Sequence, residues 1–216
     1  DIRDEKMIKE VRERVISEFG KLDVLINNAS ALDWKPLEYT SVKKYDLINN
    51  INARGSFLMA KEFVPFMEEG SKIITHSPPI DPLSMKYYLE NGGFKNRIAY
   101  MVSKLGMSLV ASGLAQELSN RKIASNCIWP MTAIESAAMK DNPLIPEQFN
   151  NPKLWRRPEI ISDMVLELLK EPDDFTNQFL LDEVYLREKG YENFEKYQCV
   201  PGFEPPKLLD LFSKRE

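Results

Sequence analysis

The sequence has only one histidine and two cysteines among its 216 residues. A histidine-rich metal centre and a Ser-His-Asp triad are therefore not expected, and we assign no metal ligand. His76 follows an apolar run, and we expect it to be a structural polar residue. Cys127 and Cys199 provide no disulfide framework. This favours a reducing compartment, and we expect a cytoplasmic protein.

An excess of positive charge and long apolar runs are also lacking. The formal net charge of -4 argues against a nucleic-acid-binding surface. No apolar run reaches the roughly 18 residues that suggest a membrane span, so none is expected. With 43% hydrophobic and 29% charged residues, the composition is that of an ordinary globular domain, long enough for one well-buried core.

Strands alternate with helices along the sequence. Short apolar runs predict buried strands at residues 23–29, 72–76 and 123–129, and a further strand at 178–182. Helices are predicted at 4–19, at 41–67 with one break, at 99–118 and at 158–170. Residues 80–97 are predicted to be a long irregular loop, and 131–157 a lid. This order indicates an α/β fold with a parallel sheet covered by helices on both faces.

The stretch around Tyr100 and Lys104 carries the strongest chemical signal. The two residues are one helical turn apart, so the phenol and the ammonium share a face. A cation at that distance favours the phenolate and moves the phenol pKa from about 10 towards the working range of a general acid or base. An exposed tyrosine packed under a lysine stem is the simpler interpretation of such a pair.

Polar residues follow the first three predicted strands and favour the functional interpretation. They are Asn27–Ala29, His76–Ser77 and Pro130–Thr132. Ligands of parallel sheets bind beyond the carboxyl ends of the strands, which is where these residues are expected.

Four motifs together resemble the short-chain dehydrogenase/reductase family. They are Asn27-Asn28-Ala29-Ser30, the run from Asn52 to Phe57, the pair Tyr100 and Lys104, and Trp129-Pro130. Within that family, residues 1–5, 76–79, 129–134 and 190–194 resemble the hydroxysteroid dehydrogenase-like group. The resemblance extends from Asp1 to about Pro206 and implies a Rossmann-type, doubly wound sheet.

The resemblance also implies roles for individual residues. Tyr100 would exchange a proton with the substrate while a hydride passes to or from NADP or NAD. Lys104 would hold the nicotinamide ribose and lower the pKa of Tyr100, and Asn52, at a distorted helix turn, would hold a water that relays protons to Lys104. The implied cofactor-binding residues are Asp1 at the adenine, Asn27 and Ala29 on the adenosine side, Tyr100, Lys104, Pro130 in the clasping loop, and Ile134 through its backbone.

Three departures from the family pattern stand out. The glycine-rich phosphate loop is absent, so residues 1–216 are interpreted as one N-terminally truncated domain that lacks its first β-α units, a fragment with exposed strand edges. The serine that polarises the substrate carbonyl is replaced by Pro78, which cannot donate a hydrogen bond; Ser77 is the candidate to take its place. Ser30 replaces a glycine, and residues 184–216 are interpreted as a C-terminal extension of the same domain.

Two functions are compatible with these residues. The first is an NAD(P)-dependent oxidoreductase for a hydrophobic alcohol or carbonyl compound, lipid-derived ones included, which the apolar residues Ile134, Ala137, Ala138 and Met139 would suit. The second is a non-catalytic protein that binds a lipid or a partner, favoured by Pro78 and the missing phosphate loop. The presence of Tyr100, Lys104 and Asn52 argues for the first. The resemblance further implies a homo-oligomer, and a mitochondrial or peroxisomal location as alternatives.

Overall fold

A computed structural model describes residues 1–137, 139–140 and 150–208. In chain order its helices and strands are α1 (Glu5–Phe19), β1 (Val24–Asn27), α2 (Val42–Ile51), α3 (Ala53–Phe63), β2 (Lys72–His76), α4 (Pro82–Glu90), α5 (Ile98–Glu117), β3 (Ala124–Trp129), β4 (Ala133–Ile134), β5 (Trp155–Arg156), α6 (Glu159–Leu169), β6 (Phe179–Leu181) and α7 (Asp182–Glu188).

Four strands form one parallel sheet in the order β1-β2-β3-β6. Val24 pairs with Lys72, Lys72 with Ala124, and Cys127 with Phe179. Each connection between these parallel strands crosses over through helices, so the α/β class and the Rossmann-type parallel sheet are confirmed.

Local signals explain where the helices begin and end. The Asp4 carboxylate accepts hydrogen bonds from the Lys6 and Met7 amides at the start of α1, and Gly20, with φ of 79°, ends it. The break predicted within 41–67 falls at Asn52, whose ψ of -75° turns the chain between α2 and α3. These helix boundaries agree with the sequence prediction.

The segments predicted as an irregular loop and as a lid both contain regular structure. Residues 80–97 include α4, which Asp81 caps by accepting hydrogen bonds from the Leu83 and Ser84 amides, with Pro82 in its first turn. The prediction of an irregular loop there is therefore wrong: Asp-Pro is also a helix-start signal, and it outweighed the Gly92-Gly93 turn that follows. Within 131–157, β4 and β5 pair in parallel as a second small sheet.

β1 is less buried than the sequence predicts. Leu25 is buried but Ile26, which lies on the opposite face, is 48% exposed, so that face of β1 is not fully covered. A continuous apolar run predicts burial on both faces only for a strand that is covered on both faces.

Apolar cores lie on both faces of the sheet. The larger one packs α6, α7 and the following chain against the strands, and its fully buried members include Ile74, Ile160, Tyr185, Leu186 and Tyr197. The other packs Leu25, Ile73 and Ile123 under α3 and α5. Residues 184–208 thus contribute side chains to the main core, and residue 184 lies inside α7.

The 20-residue α5 is long and apolar enough to cross a bilayer by length and composition. The central helix of a globular core passes the same test, and α5 packs against α2, α3, β2 and β3. This similarity to a span is weak evidence for a membrane.

Two glycines of α5 differ in their surroundings and provide a matched test of its packing. A Cβ on Gly106 would lie 2.8 Å from the Ala53 Cβ, whereas one on Gly113 would meet nothing within 4 Å. We expect Gly106→Ala to destabilise the domain by about 1–3 kcal/mol, because α3 must shift. Gly113→Ala should stabilise it by about 0.5–1 kcal/mol through helix propensity. Urea unfolding measures both; equal shifts in one direction would contradict the close approach of α3 and α5.

Candidate active site

A cavity of about 930 Å³ lies beyond the carboxyl ends of β1, β2 and β3. Its walls are mainly apolar and aromatic side chains, and its polar lining residues include Asn28, His76, Arg97, Tyr100, Lys104 and Glu135. The position agrees with the rule for parallel sheets.

Tyr100 and Lys104 both line this cavity from the first two turns of α5. Lys104 is almost fully buried, and its Nζ donates a hydrogen bond to the His76 carbonyl oxygen over 2.8 Å. The same Nζ lies 5.8 Å from the centre of the Trp129 ring. The structure thus brings together the pair that the sequence singles out.

Burial dominates the electrostatics of this pair. It raises the pKa of Tyr100 above its ordinary value, and the cation that opposes the rise is Arg97. It lowers the pKa of Lys104 to about 7. The expectation that Lys104 lowers the Tyr100 pKa is therefore not met in this geometry: the desolvation of the phenol exceeds any favourable effect of the lysine charge.

Asn52 is buried at the α2–α3 break, and its side chain joins three parts of the chain. Its Oδ1 accepts a hydrogen bond from the Ala31 amide over 2.7 Å. Its Nδ2 donates to the Ala31 carbonyl over 3.0 Å and to Ser103 Oγ over 2.8 Å. Ser103 Oγ in turn donates to the Tyr100 carbonyl over 2.7 Å. Asn52 does not line the cavity, but it fixes the loop after β1 against the turn that carries Tyr100.

Ser77 is not brought to the cavity. It is fully buried, and its hydroxyl, which has no hydrogen bond of good geometry among the described residues, lies on the side of the Cys127 thiol. His76 and Pro78 line the cavity instead. Successive side chains of an extended chain point to opposite faces, so of these three neighbours Ser77 faces inward.

The same alternation separates Asn27 from Asn28. The Asn27 side chain is buried, and its Nδ2 has no partner in the part of the chain that the structure describes. Asn28 lines the cavity, and its Oδ1 lies 3.0 Å from His76 Nδ1, so the imidazole donates its Nδ1–H to this oxygen. The sequence analysis assigned cofactor binding to Asn27, included Asn28 only among the polar residues at the strand ends, and interpreted His76 as a structural residue. Once Leu25 is known to be buried, the period of two places Asn27 inward and Asn28 outward.

Of the other residues predicted to bind the cofactor, some line the cavity and some do not. Ala29, Pro130 and Ile134 line the cavity. The Asp1 carboxylate instead forms an ion pair with Arg3, with Nε at 3.0 Å, and does not line it. Of the apolar lid residues, Ile134 and Met139 line the cavity, Ala137 does not, and Ala138 lies outside the described residues.

The sequence reasoning also missed the wall that α4 and the turn after it provide. Tyr87, Tyr88, Asn91, Gly93 and Arg97 line the cavity. Arg97 is buried; its Nε donates to the Gly93 carbonyl over 2.7 Å, and its guanidinium lies 5.9 Å from the Trp34 ring centre. The Asp81-Pro82 start signal could have revealed this helix.

Comparison with known proteins is consistent with this arrangement. Residues 1–177 match a family model described as enoyl-(acyl carrier protein) reductase. The human protein named hydroxysteroid dehydrogenase-like protein 2 is 37% identical over 218 residues, which cover 98% of this chain and 49% of that protein. The chain belongs to the short-chain dehydrogenase/reductase family. The zebrafish (Danio rerio) protein of the same name is also 37% identical, over 98% of this chain and 48% of its own length.

Solved structures of family members share this fold. A short-chain dehydrogenase from Mycobacterium thermoresistibile has a TM-score of 0.82 and 34% identity, covering 97% of this chain and 71% of its own. A putative dehydrogenase from Xanthomonas campestris also has a TM-score of 0.82, with 30% identity, 96% of this chain and 73% of its own. The chain spans about half the length of the curated relatives it matches.

The single histidine allows a direct test of the cavity's electrostatics. Burial and the nearby Lys104 charge lower the pKa of His76 to about 3. We therefore expect a neutral imidazole throughout the neutral range, and the stability that depends on it should be lost only as the pH falls from about 6.5 towards 3. NMR of isotope-labelled histidine reports this one ring without ambiguity. A titration midpoint near the ordinary value of about 6.5 would contradict the desolvation of this ring.

Proposed function

We propose that the protein is an NAD(P)-dependent oxidoreductase that transfers a hydride between the nicotinamide and a hydrophobic alcohol or carbonyl compound. One observation carries this proposal: Tyr100 and Lys104 line the same largely apolar cavity at the carboxyl ends of the parallel strands. A binding module has no need of a desolvated phenol and a buried amine in one pocket, since both cost desolvation energy.

The residues present suit the nicotinamide end of such a cofactor. The cavity has the size of a ligand-binding pocket, and Lys104 offers N–H donors to ribose hydroxyls. Ala29 leaves space for close approach, and Pro130 and Ile134 also line the cavity. When bound, the nicotinamide supplies or accepts the hydride. The family uses NAD(P), and a Burkholderia cenocepacia family member of the same fold, at a TM-score of 0.69 and 19% identity, has a structure in complex with NADP. NADP and NAD both remain candidates here.

Tyr100 is the proposed proton donor and acceptor. Burial favours its protonated form, which suits it to donate a proton to the oxygen of a carbonyl group as that group is reduced. Asn52 supports this role by hydrogen bonding Ser103, which in turn bonds the Tyr100 carbonyl. Both Nδ2 hydrogens of Asn52 are already donated, to the Ala31 carbonyl and to Ser103 Oγ, so neither can hold a water molecule. A water relay from Lys104 past Asn52 therefore stays a prediction.

The hydrophobic substrate class rests on the cavity walls. Their apolar and aromatic members include Leu32, Trp34, Met101, Trp129, Ile161, Val165 and Leu166. An apolar molecule gains about 25 cal/mol for each Å² of surface that it buries there. A lipid-derived alcohol or carbonyl compound fits this description.

A second candidate function is non-catalytic binding of a lipid or a partner. Pro78 favours it, because this residue lines the cavity but cannot donate a hydrogen bond to a substrate oxygen. NADPH fluorescence discriminates between the two: a change on adding protein, without oxidation of NADPH by any carbonyl probe, would support binding alone.

The catalytic proposal is tested by Tyr100→Phe in the full natural chain, with NADPH and NADH each offered with decanal, phenanthrenequinone and a ketosteroid. We expect turnover to fall by about 10²–10⁴-fold, because the proton donor is lost, while cofactor affinity changes little. The matched control is Tyr39→Phe, at a tyrosine that is 68% exposed. Undiminished turnover in the Tyr100 variant would remove this residue from the mechanism.

We also propose that the protein is a homo-oligomer, with a cytoplasmic location. Ile98, Val102 and Leu109 form an exposed apolar stripe on α5, and Phe57 is exposed on the adjacent α3. A second copy that covers this stripe would remove it from water.

Leu109→Glu tests this association. We expect it to shift the protein towards monomer in sedimentation measurements, because a carboxylate would be buried without a partner. Leu89→Glu, at a residue 70% exposed on α4, is the control and should leave the assembly unchanged. An unchanged assembly in the Leu109 variant would exclude this stripe as the interface.

A further inference from the structure

Asp182 connects the end of the sheet to the loop that forms one wall of the cavity. It is the first residue of α7, directly after β6, and is fully buried. Its Oδ1 accepts hydrogen bonds from the Met131 amide over 2.9 Å and from the Glu183 amide over 2.7 Å. Met131 follows Pro130 at the carboxyl end of β3, and Pro130, Thr132, Ala133 and Ile134 all line the cavity. One carboxylate oxygen therefore fixes the root of this loop.

The other polar main-chain atom of Met131 is fixed by the C-terminal segment. The Leu208 amide donates to the Met131 carbonyl over 2.7 Å, and Thr132 forms an antiparallel bridge with Lys207. Leu208 itself lines the cavity. Because this second attachment involves only main-chain groups, Asp182 is the titratable part of the arrangement.

The charged groups around Asp182 act in opposite directions. Burial raises its pKa to about 6; the two amide hydrogen bonds and the positive charge of Arg156 oppose the rise, and Glu183 adds to it. Arg156, itself buried on β5, pairs with Glu183 at 2.7 Å and also with Glu204. The second oxygen, Oδ2, has no partner among the described residues.

We propose that Asp182 is a positioning residue of the site, and that its ionised carboxylate holds the 130–134 loop in the form that binds the ligand. The proposal rests on the proposed function only for the identity of that ligand. An ionised carboxylate accepts stronger amide hydrogen bonds than a neutral one, so the Met131 bond weakens when Asp182 is protonated.

Ionisation of Asp182 is expected to change the order of the 130–134 loop and the stability of the whole domain in opposite directions. The folded pKa lies above the ordinary value of 3.8, so the Asp182 contribution to stability is present at low pH and is lost as the pH rises through about 6. Over the same interval the hydrogen bond to Met131 becomes stronger. A carboxylate with a merely structural role would show the same two trends but would leave the ligand affinity unchanged.

The test is Asp182→Asn in the full natural chain, with Asp46→Asn, at an exposed position on α2, as the control. The first measurement is hydrogen exchange of the Met131 amide, relative to its intrinsic rate, about one pH unit below and above the Asp182 pKa. We expect stronger protection at the higher pH in the wild type and in the control. In the Asp182 variant, protection should be low at both pH values.

Two further measurements follow from the same variant. At the higher pH its thermal midpoint should not fall below that of the wild type, while its affinity for NADPH should drop about five-fold, the difference between a charged and a neutral hydrogen bond. At the lower pH the NADPH affinity of the wild type should fall about five-fold relative to that of the variant, because Lys104, with a pKa of about 7, titrates in both proteins and cancels in the comparison.

The result that would overturn the proposal is Met131 protection that depends neither on pH nor on Asp182. If the variant does not fold, the pH series on the wild type alone decides. Failure of the wild type to bind NADPH at any pH would count against the proposed function, whereas the exchange data would still test the role of Asp182.

Discussion

The position of Tyr100 depends on one buried amide, the side chain of Asn52. Its Oδ1 and both of its Nδ2 hydrogens have hydrogen-bond partners, which are the two main-chain groups of Ala31 and the hydroxyl of Ser103. These bonds connect the loop after β1, the break between α2 and α3, and the first turns of α5. Since the amide is buried, loss of one partner would leave the others with an unpaired polar group, and the three elements are therefore fixed together.

Desolvation, more than the charge pairing implied by sequence spacing, governs the ionisation of the site. Tyr100 and Lys104 occupy the expected positions one turn apart. Burial raises the pKa of Tyr100 and lowers that of Lys104, so it favours the neutral form of both side chains. Lys104 directs its Nζ to the His76 carbonyl, and Arg97 supplies the cation that acts on the phenol. Spacing along a helix predicts proximity of two side chains, but not how much water the fold removes from them.

Local sequence signals were sufficient for much of the fold. The Asp4 cap, the Gly20 stop and the short apolar strands predicted elements that the structure contains, because each signal acts within a few residues. The same local reasoning failed at Ser77 and Asn27. Which face of an extended chain lies towards a cavity depends on what packs on the other face, and the motif alone does not contain that information. It also failed for α4, where the capping carboxylate of Asp81 outweighs a polar composition.

The C-terminal part of the described chain affects the site as well as the core. Tyr185, Leu186 and Tyr197 are buried with Ile74 of β2 in one cluster, so this segment cannot separate without opening the sheet's main apolar face. The segment continues to Leu208, which lines the cavity and whose amide donates a hydrogen bond to the Met131 carbonyl. Since the Asp182 carboxylate and the Leu208 amide both hold the main chain of Met131, the order of the 130–134 loop depends on this packing. Substitutions of Asp182 or Arg156, which lie far from Tyr100 in the sequence, should therefore change ligand affinity more than they change the rate of proton transfer.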